Sequence, residues 1–401
     1  MDFQKTSIIK PRAHRPDYLL ALSVLTLCLI GIVMISSASV VASYADYGNN
    51  TYYLYHQLSS LVLGIILWVI AYKINYNFWR KAAPFLLFLN FLLLVAVFIP
   101  GIGHGSGGAQ RWIKIANFTF QPTEAIKLTL ILYLAAWLEK KGKEVKNFLY
   151  GTFPFLIMIG FIAFLIMLQP DLSTMTIIVI TAAIMFFVAG ASLWHLTWLG
   201  GVGIFVIWAL IKTAPYRMAR FTIFLDPGTD PRGTGYQINQ ALLAIGSGGL
   251  WGLGFGRSRQ KYNFLPGAST DSIFAITAEE LGLIRVGAII LIFVFLAYRG
   301  FKIAKEAPCT FSRLISIGII SWLIFQTFFN LASMLSLVPL TGVPLPFLSY
   351  GGSSLVVSLI GVGIIMNISK YTKSEAVYED SRFRWWDWRS YFSLTRRYGR
   401  D

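Results

Sequence analysis

The chain has 401 residues, of which 56% are apolar and only 13% carry a charge. Soluble domains usually contain about 25% charged residues, so this composition excludes an ordinary soluble globular protein and indicates a membrane protein. The formal net charge of +16 would suggest nucleic-acid binding in a soluble protein. Here the distribution of the positive charge matters more than its sum, and we expect no nucleic-acid partner.

The predicted elements are apolar stretches of about 17 to 25 residues, the length at which a helix crosses a bilayer. They predict an all-α, polytopic integral membrane protein with about ten transmembrane helices. The expected helices cover residues 18–43, 54–72, 82–99, 123–138, 152–168, 172–190, 193–211, 273–298, 314–338 and 350–369. The chain then divides into an N-terminal arm (1–17), a transmembrane domain (18–369) and a C-terminal tail (370–401).

Lysine and arginine are concentrated in the arm, in the tail and in alternate loops between the predicted helices. Because positive loops stay in the cytoplasm, both ends of the chain are predicted to lie there. An even number of helices agrees with both ends lying on the same side of the membrane. The one large loop, residues 212–272 between the seventh and eighth helices, is then extracytoplasmic. It is either a solvated basic surface or a site for an anionic group. Arg217 and Arg220 favour the second interpretation, because on one helical turn both could bind a diphosphate.

Charged residues inside membrane segments are costly, and they mark either a functional site or a mutually satisfied pair. Glu124 and Lys127, in QPTEAIKL, predict an ion pair on the first turns of the fourth helix, with substrate contact as the alternative. Just upstream, in GAQRWIKI, Arg111 and Trp112 are expected at the outer interface. Asp171, in QPDLS, is expected to cap the sixth helix.

Three carboxylates lie in the stretch DSIFAITAEELG, which begins the eighth predicted helix. Asp271, at the boundary between water and membrane, is the candidate for acid–base chemistry, although an aspartate at this position is often only a cap. Glu279 is about 12 Å deeper at the helical rise of 1.5 Å per residue, too far to act on the same bond. Glu279 and Glu280 are therefore expected to be buried pairing groups, with Arg285 or another helix as partner.

Five segments follow one another in a characteristic order: GAQRWI, QPTEAIKL, QPDLST, the run YRMARFTIFLDPGTDPRGTGYQINQALLAIGSGGLWGLGFGRSRQKYNFLPGASTDSIFAITAEELG, and PLTGVPLPFLSYGGSS. In this order they resemble the SEDS family (shape, elongation, division and sporulation), which includes FtsW, RodA and SpoVE, and the loop is closer to FtsW. The resemblance spans nearly the whole membrane region. Two positions depart from the family pattern: Gly267 replaces the usual glutamate, and Ser272 replaces the usual phenylalanine.

The resemblance implies a peptidoglycan glycosyltransferase of the bacterial cytoplasmic membrane, acting in cell division or elongation. Its substrate would be lipid II, a disaccharide-peptide on a polyprenyl diphosphate, which it would polymerise into β-1,4 glycan strands. Asp271 would be the general base. The residues implied to bind substrate are Arg111, Trp112, Lys127, Arg217, Arg220, Gln260, Lys261 and Ser353.

The same resemblance implies partners and a cofactor. The partners would be membrane lipids, a class B penicillin-binding protein that crosslinks the strands, and other proteins of the division or elongation machinery. A divalent cation, Mg²⁺ or Mn²⁺, could assist the departing diphosphate, but the sequence indicates no ligands for it. The alternative function is a lipid II flippase or transporter, for which many helices and buried charges would also serve.

Overall fold

The computed structural model describes residues 13–106, 109–115, 118–226, 230, 233 and 235–372. Most of the predicted arm and tail lies outside these residues. The described chain forms thirteen α-helices: α1 (Tyr18–Ala38), α2 (Val40–Tyr47), α3 (Tyr52–Lys73), α4 (Tyr76–Ala96), α5 (Pro122–Lys141), α6 (Phe153–Leu168), α7 (Leu172–Val188), α8 (Leu193–Thr213), α9 (Pro215–Leu225), α10 (Tyr236–Gly248), α11 (Ile273–Lys305), α12 (Thr310–Met334) and α13 (Gly352–Ser369).

The ten predicted helices are all present, as α1, α3 to α8 and α11 to α13. Eight helices of the described chain are long and apolar enough to cross a membrane. The protein is therefore a multi-pass membrane protein. The largest boundary differences are at three helices: the first helix ends at Ala38 and is followed by the short α2, α4 begins at Tyr76, six residues before the predicted start at 82, and α11 continues to Lys305, seven residues beyond the predicted end at 298.

A small antiparallel sheet was not predicted. Its strands are β1 (Gly103–Ser106), β2 (Ala109–Ile115) and β3 (Phe118–Phe120), in the order β1-β2-β3. In β2 apolar and polar residues alternate over Ile113, Lys114 and Ile115, the period of a strand with two different faces. The prediction of a helical, polytopic membrane protein is confirmed, and this segment, which carries Arg111 and Trp112, adds a small sheet to the helices.

The large loop also contains helices. α9 and α10 lie within residues 212–272, and α10 is formed by the stretch YQINQALLAIGSG. The glycine-rich segment after α10 then returns to the membrane domain and packs against α11. The loop is thus a folded part of the domain, because its helices have apolar faces that can pack on it.

The most buried helices are α12 and α13; α13 packs along α3, and α12 packs on α11, α7 and α5. By contrast, the described side chains of α8 include none that is buried. The start of α1 meets the end of α13, where the backbone N–H of Asp17 donates to Ser369 Oγ at 3.0 Å. Asp17 also pairs with Arg299 near the end of α11, at 2.5 Å. Both ends of the membrane domain therefore lie at the same end of the bundle.

A break at Gly282 divides α11 into two parts. Gly282 has φ +79° and ψ 169°, outside the helical region. The backbone groups released by the break pair with the loop after α10: Leu253 N donates to Glu279 O at 2.9 Å, and Leu283 N donates to Gly249 O at 2.9 Å. Because unpaired backbone groups are costly in a membrane protein, these bonds attach the loop firmly to α11.

We predict that Gly282→Ala destabilises the protein. A methyl group at this position would overlap the backbone of residues 251 and 252, and alanine disfavours positive φ. The cost of the strained backbone alone is about 1–3 kcal/mol. The measurement is thermal unfolding in detergent. Gly287→Ala, on the same helix, is the matched control, because a Cβ there meets nothing within 4 Å. Equal melting temperatures for the two variants would contradict the prediction.

Candidate active site

A cavity of about 940 Å³ opens between the loop, the sheet and several helices. Its lining includes the first turns of α5 and α7, one side of α9, the end of α8 and the segments 338–344 and 350–354. Asp271 lines this cavity, as do Arg111, Trp112, Arg217, Arg220 and Ser353. The fold therefore brings together six of the site residues that the sequence suggested, from four different parts of the chain.

Asp271 is held by a tight turn immediately before α11. The backbone N–H groups of Thr270 and Ser272 both donate to Gly267 O, at 2.9 and 3.0 Å. The backbone carbonyl of Asp271 accepts from Asn330 Nδ2 of α12 at 2.7 Å. Because turn and helix both fix the backbone here, the carboxyl group has little freedom except rotation of its own side chain.

The carboxylate of Asp271 accepts two hydrogen bonds. Thr270 Oγ1 donates to Oδ1 at 3.0 Å, and Gln237 Nε2 of α10 donates to Oδ2 at 3.1 Å. Burial raises the pKa of this carboxyl above its ordinary value, while the two hydrogen bonds and the charge of Arg220 limit the rise. The result is a carboxylate that is more basic than an exposed aspartate and can accept a proton in the cavity.

Two arginines of α9 bring positive charge to the cavity, one turn apart on the same helix. Arg220 donates to Leu340 O at 3.3 Å, and Arg217 donates to Leu210 O at 3.0 Å and to Tyr216 Oη at 2.9 Å. These bonds are to neutral groups, so they orient the guanidinium groups. Among the described residues neither arginine forms a contact ion pair, although Arg220 is near enough to Asp271 for its charge to lower the pKa of that carboxyl. Two arginines placed in this way suit a diphosphate.

Arg111 and Asp171 shape the turn between α6 and α7. Arg111 donates from Nε to Gln169 O at 2.8 Å and from Nη2 to Pro170 O at 2.5 Å. Asp171 accepts from the backbone N–H of Thr174 at 3.1 Å, so it caps α7 as expected. Both residues nevertheless line the cavity. Their structural bonds therefore hold polar side chains at its wall.

Glu124 and Lys127 form a buried ion pair at 2.9 Å, with side chains only 4% and 2% exposed. Lys127 also donates to Gln326 Oε1 at 2.9 Å and lies 5.1 Å from the ring centre of Trp322. It is thus engaged in the protein interior and does not itself line the cavity. Glu124 does line the cavity, and its Oε2 has no hydrogen-bond partner among the described residues. A polar group of the substrate could satisfy that oxygen.

The expectation that Lys261 binds substrate is not supported by its place in the structure. Lys261 is buried and pairs with Glu280 at 3.2 Å, and it also donates to Ser37 Oγ of α1 at 3.0 Å. Glu279 accepts from the hydroxyl of Ser258 and from the backbone N–H of Arg259. Together these bonds fix the glycine-rich loop to α11 and α1. Lys261 is therefore a structural residue here and does not lie among the described residues of the cavity wall.

Arg285 is not the partner of Glu279 or Glu280. It donates instead to the carbonyls of Trp251 and Leu281, at 3.1 and 3.4 Å, on an exposed part of α11. Gln260, suggested as a substrate contact, is buried beside this network, where its backbone N–H donates to Glu279 at 3.4 Å. Sequence spacing suggested the wrong cation because the true partner of Glu280 lies on a loop that folds back.

Two residues at the site were missed by the sequence reasoning. Gln237 contacts the Asp271 carboxylate directly, and Tyr350 lines the cavity while its backbone N–H donates to Ser269 O at 2.8 Å. Gln237 lies at the start of α10, in GYQINQ. Its amide in an otherwise largely apolar helix was the signal that could have indicated a polar contact. Ser353, which was suggested, bridges the sheet and α13: its Oγ accepts from Gln121 N and donates to Thr119 O.

Comparison with known proteins gives a consistent result. The profile of the cell cycle protein family of FtsW, RodA and SpoVE matches residues 18–374. Stage V sporulation protein E of Bacillus subtilis (strain 168) is 42% identical over 89% of this chain and 98% of that protein. A probable peptidoglycan glycosyltransferase FtsW of Geobacter sp. (strain M18) is 38% identical over 91% of this chain and 100% of that protein.

Solved structures are also similar. A chain of the structure described as "Structural coordination of polymerization and crosslinking by a peptidoglycan synthase complex" superposes with a TM-score of 0.73 and 29% identity, covering 89% of this chain and 98% of that chain. The rod shape determining protein RodA of Thermus thermophilus has a TM-score of 0.65 and 28% identity, covering 89% of this chain and 98% of that chain.

We predict that Lys261→Met lowers stability, because it leaves Glu280 buried without its cation. Breaking such a pair typically costs about 3–5 kcal/mol. Thermal unfolding of the purified protein measures the loss. The double variant Lys261→Met/Glu280→Leu should recover much of it, because neither charge then remains. Lys212→Met, at an exposed lysine at the end of α8, is the control. A melting temperature unchanged by Lys261→Met would contradict the structural role.

Proposed function

The chain belongs to the FtsW, RodA and SpoVE family and is a peptidoglycan glycosyltransferase, and we propose that Asp271 is the general base with which it polymerises lipid II. The observation that carries this proposal is the shared cavity: the carboxylate of Asp271 and the guanidinium groups of Arg217 and Arg220 line one space. A transfer from a sugar diphosphate needs both, a base for the incoming hydroxyl and positive charge for the leaving group.

The proposed reaction is a single displacement. A sugar hydroxyl of the incoming lipid II attacks C1 of the lipid-linked strand, and Asp271 takes the proton of that hydroxyl. The bond between C1 and the diphosphate oxygen breaks, and its electron pair leaves with the polyprenyl diphosphate. Attack from the opposite face converts the α-linked diphosphate into a β-1,4 glycosidic bond. One carboxylate suffices, in contrast to the pair that hydrolytic glycosidases use.

The apolar part of the cavity suits the polyprenyl chain. Ile207 and Ile211 of α8 line it together with Phe221 and Phe329, and α8 itself is weakly packed on the rest of the protein. We propose that the lipid lies along these residues with its diphosphate at Arg217 and Arg220. A substrate tethered in this way cannot leave the membrane. A base immediately before the start of α11, such as Asp271, can then reach its sugar at the membrane surface.

The divalent cation suggested from the sequence stays a prediction. Within the described part of the chain, no three acidic, histidine or cysteine side chains are grouped so that they could hold a metal ion. The positive charge that the described residues bring to the diphosphate comes from Arg217 and Arg220. We also propose that both termini are cytoplasmic, which the lysine and arginine distribution supports.

We predict that Asp271→Asn abolishes polymerisation, with a loss of more than about 100-fold, because the amide cannot accept the proton. The measurement is glycan formation from lipid II by the purified protein. An unchanged melting temperature would show that folding is intact. Asp46→Asn is the control, since Asp46 is an exposed carboxylate that hydrogen-bonds Tyr53 at the end of α2. Glycan synthesis by the Asp271→Asn variant at the wild-type rate would refute the proposed base.

We further propose a class B penicillin-binding protein as partner, because a similar structure is of a complex that coordinates polymerisation and crosslinking.

We predict that the purified chain polymerises slowly alone and faster after co-purification with its cognate transpeptidase. A transpeptidase without its active-site serine should activate equally, because the effect would come from contact and not from crosslinking. The partner combined with the Asp271→Asn variant should yield no glycan. An unchanged rate with the intact partner would remove the activation proposal.

A further inference from the structure

A hydrogen-bonded group surrounds the Asp271 carboxylate and includes residues that the proposed reaction does not use. Gln237 Nε2 lies 3.1 Å from Asp271 Oδ2 and 3.0 Å from Ser272 Oγ. Ser272 in turn donates its hydroxyl proton to Pro266 O at 2.8 Å, and its side chain is fully buried. With its proton committed to Pro266, the Ser272 hydroxyl oxygen is free to accept from Gln237. The amide N–H groups of Gln237 are therefore directed at the hydroxyl and at the carboxylate together.

Gly267 completes this group from the other side of the carboxylate. Its φ of +65° is a conformation that side chains disfavour. A Cβ at this position would overlap Asp271 Oδ1, and it would also come within 3.1 Å of Thr270 Oγ1. Any side chain at position 267 would therefore displace either the carboxylate or the turn. The space beside Oδ1 exists because this residue is glycine.

We propose that Gln237, Ser272 and Gly267 form one positioning device for Asp271: Ser272 orients the Gln237 amide, the amide holds Oδ2, and Gly267 leaves room for Oδ1. This inference rests on the proposed function of Asp271 as base. It also gives a physical role to both positions at which the chain departs from the family pattern, Gly267 and Ser272. The two departures are then coupled, because each contributes to the same placement of the carboxylate.

The device has a consequence for the protonation of Asp271. A donor at Oδ2 stabilises the ionised form, so its removal should raise the pKa of the carboxyl. Arg220 of α9 acts in the same direction as Gln237 and remains in the variants described below. The other titratable side chains that line the same cavity also remain, namely Arg111, Glu124, Asp171, Tyr216, Arg217 and Tyr350.

The first experiment replaces the amide by a side chain of similar length, Gln237→Met. The acidic limb of the pH profile of polymerisation should move upward by about one pH unit, which is about a tenfold loss of rate below the limb and a smaller loss above it. Gln240→Met, at a half-buried glutamine one turn further along α10, is the matched control and should leave the limb in place. A purely structural role of Gln237 would lower the rate at every pH alike, and that result would overturn the proposal.

The second experiment tests the coupling. Ser272→Ala should shift the limb in the same direction, and adding it to Gln237→Met should add little further shift, because the hydroxyl acts through the amide. Gly267→Ala should lower the rate about a hundredfold through displacement of the carboxylate. Ser269→Ala, in the same loop, is the control. Fully additive shifts, or a Gly267→Ala variant with the wild-type rate, would contradict the device.

A readout independent of activity separates this inference from the proposed function. The carboxyl stretching band of Asp271, taken as the infrared difference between wild type and Asp271→Asn, can be titrated in the detergent-purified protein. Its midpoint should rise in Gln237→Met and in Ser272→Ala. If wild type makes no glycan, the proposed function fails while this titration still decides the positioning. If wild type makes glycan and the midpoint does not move, the positioning fails alone.

Discussion

The hydrogen bonds between the broken helix α11 and the glycine-rich loop are the constraint on which the site depends. At Gly282 the helix gives up its own backbone pairing, and residues 249–254 supply the partners for both halves. Two carboxylates next to the break, Glu279 and Glu280, then accept backbone and side-chain donors from residues 256–261. A loop of this composition would otherwise be pliable, because glycine carries the largest backbone entropy of any residue.

This attachment places the turn before α11 at the junction of elements that are far apart in sequence. α9 brings the arginines, β2 brings Arg111 and Trp112, and the segment 338–344 closes the cavity near Asp271. Asn330 of α12 donates a hydrogen bond to the backbone carbonyl of Asp271, and α12 is the second most buried of the candidate membrane spans. The residue proposed as the base, Asp271, is thus fixed through its main chain, and its carboxylate is oriented by hydrogen bonds from Thr270 and Gln237.

The charges of the membrane domain fall into two groups that differ in how they are satisfied. Lys127 with Glu124, and Lys261 with Glu280, are paired in the interior, where an isolated charge would be costly. Arg217, Arg220 and Asp271 line the cavity, and their hydrogen bonds are to neutral partners. In a glycosyltransferase of the FtsW, RodA and SpoVE family, the second group is the one that we propose acts on the diphosphate-linked sugar.

The sequence by itself determined the membrane class, the ten long helices and the location of Asp271 at the start of α11, because hydrophobic length and local order are properties of neighbouring residues. It also indicated the ion pair of Glu124 and Lys127, which lie one turn apart. The partner of Glu280, the sheet that carries Arg111, and the contact of Gln237 with Asp271 were decided only by the tertiary structure. The ion pair of Glu280 and the contact of Gln237 with Asp271 each join residues separated by a folded part of the loop, so no helical or strand period relates their positions.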